Sequence, residues 1–380
     1  MRKITYVLMS AICGLAMVAC GDVNVDTTDK EAALKKVVPP YVNHTVIQTY
    51  SDMANEGIEL LGICEAIQEA VETESNYEAL MREAGEAWRA MRHYWEQSEA
   101  FLYGPAEKHR IDPHIDSWPL DYNAMNALLN NPEQMQMIEE EGGAYVGDKL
   151  GYALKGFHAA EYLLFHEGQP HACNLTRAEA IYLVGIVEDL AQQAILLEDC
   201  WAGGVSAEKE LLITDEEGES MSYGENYGQW FIDASHPEWK TYQAEAEQIV
   251  SGCVDIAGEV ADLKLGNPYR GSDNGGDSEY LESPYSRTST KDFEDNILSI
   301  KHAYAGAMDG DESVAGYVAK KDKALNDRVL KAIEDAITAI QAIQNFETTA
   351  QNNPQVKAAI DQVSELEGIL DDEVLPLLAK

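Results

Sequence analysis

His158 and Glu161 stand three residues apart in the run GFHAAEYLLF, 156–165. On a helix that spacing sets the two side chains about 60° apart, so an imidazole nitrogen and a carboxylate oxygen face one point in space. The apolar stripe of the predicted helix passes through Val146, Leu150, Ala153, Leu154, Phe157, Leu164 and Phe165, and Glu161 falls on it. A carboxylate on a buried face is costly unless it is paired or holds a metal. Helical bundles build carboxylate metal sites from such pairs. Gly156 leaves room for a neighbouring helix or a ligand to come close. The plainer alternative is that His158 and Glu161 bond each other or a neighbour and only satisfy a core.

Trp88, Arg92, Trp95 and Glu99 form a second line, at i, i+4, i+7 and i+11 of another predicted helix. Arg92 between two indoles can stack on them or bind a carboxylate. The alternative is a half-exposed helix edge with an ordinary Arg92–Glu96 pair, worth roughly 0.2–0.5 kcal/mol. Other chemistries fit less well. The run His166-Glu167-Gly168-Gln169-Pro170-His171 approaches the HExxH zinc motif, but its second histidine is displaced by one position and Pro170 breaks the helix. There is no GxSxG element, P-loop or dinucleotide fingerprint. Asp273 to Asp277 resembles a calcium loop only loosely, with Gly275 where a ligand is needed.

Helical periodicity dominates the elements that must position these groups, and no stretch alternates with period two. Helices are predicted over 41–71, 76–103, from Pro119, 145–166, 176–202, from Pro237 to about Lys264, and near 291–308, 311–347 and 353–378. A loop covers 104–118. The fold class is all-α: two helical-bundle halves, 37–203 and 237–380, packed around an interdomain cleft and joined by an acidic linker, 204–236. The irregular stretches 203–236 and 266–290 exceed ordinary loop length, which marks them as functional or mobile.

The chain carries 27 Lys+Arg against 67 Asp+Glu, a net charge of −40. Such a chain has no basic excess with which to bind nucleic acid, and its surface attracts cations. Residues 1–20, MRKITYVLMSAICGLAMVAC, read as a signal peptide: a basic start, then an apolar run too short to span a bilayer. Small residues precede Cys20, as in a bacterial lipobox, so Cys20 is the expected lipidation site and 21–36 a flexible tether. Gly21 carries no inner-membrane retention cue of the Asp kind, so the expected location is the cell envelope, lipid-anchored at the outer membrane. The remaining cysteines, Cys64, Cys173, Cys200 and Cys253, include no CxxC pair. Cys173 and Cys200 flank one long helix and are too far apart to pair.

Four blocks together resemble the imelysin family: WRAMRHYWEQSEAFLYG (88–104), DSWPLD (116–121), GFHAAEYLLF (156–165) and SPYSRTSTKDFEDNILSIKHAYAG (283–306). Trp95 stands where Tyr is common in that family, and Leu102 where Arg is often found. The resemblance implies an all-helical fold of two bundle-like halves with the shared motifs at the cleft, an extracytoplasmic location, and an association with iron uptake. The matching positions are Trp88, Arg92, Ser98, Glu99, Trp118, Asp121, Gly156, His158 and Glu161.

The family also carries a metallopeptidase label. A zinc peptidase needs about three protein ligands, an open position for water and a base, whereas GxHxxE supplies one His and one Glu. Glu99 and Asp121 would complete an oxygen-rich site, suited to iron or calcium more than to catalytic zinc. The expected function is therefore binding of a metal ion, iron ahead of zinc or calcium, or of a small ligand, with His158, Glu161 and Glu99 as metal ligands. Trp88, Arg92, Ser98, Trp118, Asp121 and Gly156 would line the cleft. The alternatives are a metallopeptidase of the imelysin type and a non-catalytic surface lipoprotein that binds partner proteins of iron uptake.

Overall fold

Thr176 opens the longest helix with a capping box: its hydroxyl accepts from the Glu179 amide while the Glu179 carboxylate accepts from the Thr176 amide. The helix, Arg177–Ala202, runs until Gly203 adopts the left-handed conformation. In a computed structural model, which describes residues 27–215 and 218–380, this helix is the centre of the N-terminal half. It is the one helix among the described residues long and apolar enough to cross a membrane, yet 89% of its most apolar window is buried inside the fold. We label the principal helices α1 (Gln48–Glu72), α2 (Glu78–Glu96), α3 (Pro132–Lys149), α4 (Gly156–Leu164), α5 (Arg177–Ala202), α6 (Tyr242–Glu259), α7 (Ser289–Ala305), α8 (Lys323–Gln341) and α9 (Pro354–Ile369).

The architecture is all-α. Helix α5 packs against α1, α3 and α4, and α1 against α2; in the C-terminal half α6, α7, α8 and α9 pack on one another. The halves meet where α2 and the tight turn Glu99–Phe101 lie against α6 and α7. Apart from one isolated bridge between Thr214 and Ser220, strand pairing among the described residues is confined to a two-residue ladder, Phe165–His166 with Gln169–Pro170. That hairpin holds the HEGQPH run, so its two histidines are not on a helix.

Several boundaries differ from the sequence reading, for physical reasons. The predicted helix over 145–166 is two helices. Leu150 to Lys155 leave the α-helix, with only a 3-10 turn at Tyr152–Leu154, and Gly156 begins α4 at φ +80°. Helix α3 was missed because it buries few large apolar residues. It comes close to α5 instead through Gly142, Gly143 and Gly147, where added Cβ atoms would collide with Glu188 and Asp189. Pro119 does not open a helix; Asp121 caps one at Tyr122–Leu129. Likewise the helix expected from Pro237 starts at Tyr242 under a Thr241 cap. The predicted 311–347 helix breaks at Asp322, which caps α8. The 204–236 stretch contains two short helices, Ala207–Leu212 and Tyr227–Ile232, and Phe231 is buried against Trp201 and Trp239. Helix Thr27–Leu34 occupies half of the expected tether, and its buried Lys30 donates to the Leu378 carbonyl, so this part of the tether is docked. The signal peptide and Cys20 lie outside the described residues. All four described cysteines are free thiols.

Candidate functional site

Gly156 is a contact point between elements. A Cβ there would stand 2.1 Å from the Ile115 carbonyl oxygen, so only glycine lets the short helix Ile111–Ile115 cross the start of α4. That crossing places Asp116 beside His158 and Asp112 on the wall of the same cavity. Gly156→Ala adds the strain of positive φ, about 1–2 kcal/mol, to a backbone clash. We expect a loss of at least about 3 kcal/mol in denaturant unfolding; a loss below about 1 kcal/mol would mean that the crossing is loose.

His158 is buried between two carboxylates. Its Nε2 lies 3.1 Å from Asp116 Oδ1 and its Nδ1 lies 3.4 Å from Glu161 Oε2. Burial opposes the imidazolium, but the hydrogen bonds to Asp116 and Glu161 outweigh it and raise the pKa to about 9. The other oxygen of Glu161 accepts from the amides of Tyr285 and Ser286, at 3.1 and 2.8 Å, and from the Ser286 hydroxyl at 2.7 Å. Glu161 thus orients the histidine and pins the 283–288 turn of the other half. This is how the irregular 266–290 stretch is tied to the site.

Arg92 is buried behind Asp116, 5.1 Å from the Phe157 ring centroid. It pairs with Asp116, with Glu96 at 2.5 Å and with Glu282 at 2.9 Å. Trp95 Nε1 donates to the other Asp116 oxygen at 2.7 Å. Burial would raise the Asp116 pKa, but Arg92 and His158 hold it well below the usual carboxylate range. The Arg92–Glu96 pair is therefore part of a buried network and not a surface edge. Lys264 closes the network from the other half, with Glu282 at 3.4 Å, Glu96 at 3.6 Å and Glu99 at 3.7 Å. It reaches this place through a π turn, Val260–Lys264, that ends α6.

In front of this network lies a cavity of about 280 Å³ between the halves. Glu99, Asp112, Asp116, Glu259 and Glu282 face it, against Lys264 and His158 as basic groups, and Trp118 packs edge-on to His158 with centroids 5.2 Å apart. A second cavity, about 490 Å³, shares Glu99, Asp112 and Glu259 and continues toward Trp239. Burial, reinforced by Asp116 and Glu259, pushes the Asp112 carboxyl up to about 7. Burial also raises Glu99 well above the usual range; Lys264 pulls it down less than burial and the charges of Glu96, Glu259 and Asp112 push it up. Glu96 is raised to about 7 by burial despite Arg92 and Lys264.

Among the expected cleft residues, Glu99, Trp118 and His158 line the cavity, while Arg92, Glu161 and Gly156 position what lines it. Three lie elsewhere. Asp121 is exposed and accepts from the Ala124 amide as a helix cap. Ser98 donates to the Trp95 carbonyl within its own turn. Trp88 is a core residue whose Nε1 donates to the Phe157 carbonyl. The expected trio His158, Glu161 and Glu99 is not a cluster. Donor atoms converge as Asp116, His158 and Glu282, and as Glu96, Glu99 and Asp116. Sequence reasoning missed Asp116, Asp112, Glu282, Glu259 and Lys264. Asp116 was within reach, since it opens the DSWPLD block.

The family model for imelysin, a peptidase family, matches residues 46–370. The chain is a member of the imelysin family. Iron-regulated protein A of Synechococcus elongatus is 26% identical over 370 residues, covering 95% of this chain and 89% of that protein. A crystal structure described as an iron-regulated protein A precursor from Parabacteroides distasonis superposes with a TM-score of 0.76 at 24% identity, over 92% of this chain and 96% of that one. An imelysin-like protein from Psychrobacter arcticum gives 0.65 at 12% identity, over 95% and 98%. Both structures share the fold of this imelysin.

Proposed function

We propose that the interdomain cavity binds a cation of the iron class, either hydrated or carried by a small chelating ligand. The observation that carries this reading is the charge of the wall: five carboxylates face the cavity, and the side-chain oxygens of Glu99 and Asp112 accept no hydrogen bond from any described residue, Lys264 standing 3.7 Å from Glu99. Crowded carboxylates without donors repel one another, and a cation removes that repulsion. The donors fit such a cation in kind, being carboxylate oxygens. Asp116 and Glu282 are already held by Arg92, so Glu99 and Asp112, with Glu259 beside them, are the oxygens free to bind. The one imidazole, His158, is held protonated between Asp116 and Glu161, so the wall lacks the nitrogen-rich ligand set of most zinc hydrolases, which favours binding over peptide hydrolysis. The relative named iron-regulated protein A supports iron as the cation.

The remaining parts of the reading concern place and partners. The chain would be an envelope lipoprotein anchored through Cys20 to the outer membrane, delivering its cation to proteins of iron uptake. Cys20→Ala should release it from the membrane fraction, and unchanged membrane association would remove the anchor.

The cavity reading makes an opposed pair of expectations for Glu99→Gln. Removing one repelling charge should stabilise the metal-free chain by about 1 kcal/mol while weakening its affinity for ferrous iron. Thermal melting and titration of the same sample check both. A variant that is destabilised and binds iron as tightly as before would contradict the reading.

A further inference from the structure

A second group of donor atoms lies outside the cavity, at the C-terminal end of α5. Cys200 on α5, His109 after the short helix Pro105–Lys108, and Glu225 each contribute one atom, and the three atoms lie within 4.8 Å of one another. His109 Nε2 is 2.9 Å from Glu225 Oε2. Tyr223 stacks on the imidazole with centroids 3.5 Å apart and planes 9° apart, and Ser222 donates to Asp199 on α5 at 2.5 Å. The segment carrying Glu225 is therefore laid down on the helix end.

Two uses of such a trio are chemically distinct. A Cys–His–Glu arrangement could generate a nucleophile, but the Cys200 side chain is fully buried, and a substrate group needs far more room than an ion. Burial, with Glu225 and Asp199, also pushes the thiol up to about 12. That leaves coordination. Around a tetrahedral ion with bonds of about 2.0–2.3 Å, neighbouring donor atoms stand about 3.3–3.7 Å apart, a spacing these three reach with small side-chain adjustments.

We propose that His109, Cys200 and Glu225 form a binding site for a thiophilic divalent cation of the zinc class, with water as the fourth ligand. A sulfur, a ring nitrogen and a carboxylate oxygen are a zinc-type set, unlike the oxygen-rich wall of the cavity, with which the trio shares no residue. On binding, the Cys200 S–H bond breaks, the sulfur–metal bond forms, and one proton leaves to solvent. Thiolate and carboxylate then balance the two positive charges. Lys108, which now pairs with Glu225, is half exposed and can turn to water at little cost. The ion would join three parts of the chain and fasten the segment after α5 to the helix end.

Cobalt(II) is the probe. Titrated into the metal-stripped, reduced chain, it should give a near-ultraviolet thiolate-to-metal charge-transfer band that saturates at one equivalent and is displaced by zinc. Cys200→Ser should abolish the band. His109→Gln should weaken cobalt binding by more than about tenfold, since a direct ligand matters more than the outer partners whose loss costs 10–100-fold. No band in the parent chain, or a band that survives in Cys200→Ser, would overturn the proposal. If Cys200→Ser does not fold, the partly exposed His109→Gln decides: unchanged cobalt affinity overturns the site.

Discussion

Replacing Arg92 with methionine should cost the fold about 3–5 kcal/mol at neutral pH, the usual consequence of removing one partner from a buried ionic group. Methionine fills much of the same volume, so the loss is electrostatic. Asp116, Glu96 and Glu282 would lose their common cation, leaving only Lys264, 3.4 Å from Glu282 and 3.6 Å from Glu96, and His158 beside Asp116 to face three buried carboxylates. The deficit should shrink as the pH falls toward 4, because the stranded carboxylates then take up protons and become neutral. Denaturant unfolding of both chains at pH 7 and pH 4 measures this. A loss below about 1 kcal/mol at pH 7 would mean that water reaches these carboxylates and that the network is not a dry brace.

The second large effect is the pH dependence that His158 writes into the fold. Its pKa is raised from an ordinary 6.5 to about 9 in the folded chain. The native state therefore holds the proton more tightly than the unfolded state. Stability from this group is complete below pH 6.5 and is lost as pH rises through 9, an effect on the order of 3 kcal/mol. Glu96 and Asp112, raised to about 7, act in the same direction over a lower window, from about 4 to 7. Glu99 and Asp292, also raised, add to the fall. Asp116 runs the opposite way: its stability is present above about 3.9 and is lost only in acid. The melting temperature of the metal-free chain should thus decline from pH 6.5 to pH 9, and His158→Gln should flatten most of that decline. A parent chain equally stable at both ends of the range would contradict the bracketed imidazolium.

The all-α class and the longest helix were legible because helical periodicity of apolar residues announces itself locally. The helix Pro132–Lys149 was not, because it kinks at Gly142 (φ 54°, ψ −131°) and meets α5 largely through close glycine contacts, with Ile138 and Val146 the apolar side chains against Gly185. The site followed the same division. His158, Glu99, Arg92 and Glu161 stood out as ionisable groups on apolar helix faces, and all four belong to the network or the cavity wall. The DSWPLD block pointed to Asp121 alone, yet the cap at Tyr122 takes that residue and the crossing at Gly156 presents Asp116. Lys264 and Glu282 come from the other half of the chain, and no spacing along the sequence connects them to His158. The role of Glu161 was half visible: its pairing with His158 follows from helix geometry, but its three bonds to residues 285 and 286 are made by tertiary structure alone.

The most direct test of the cation-binding cavity is calorimetric titration with ferrous iron, under anaerobic conditions, of the metal-stripped Cys200→Ser chain with and without Glu99→Gln/Asp112→Asn. The Cys200 background keeps the second donor cluster from contributing. The account predicts one equivalent bound in the parent and an affinity at least about tenfold weaker, a 1.4 kcal/mol loss, once both carboxylates are neutral. No binding by the parent, or equal affinity in the two chains, would show that these carboxylates serve the fold and not a cation.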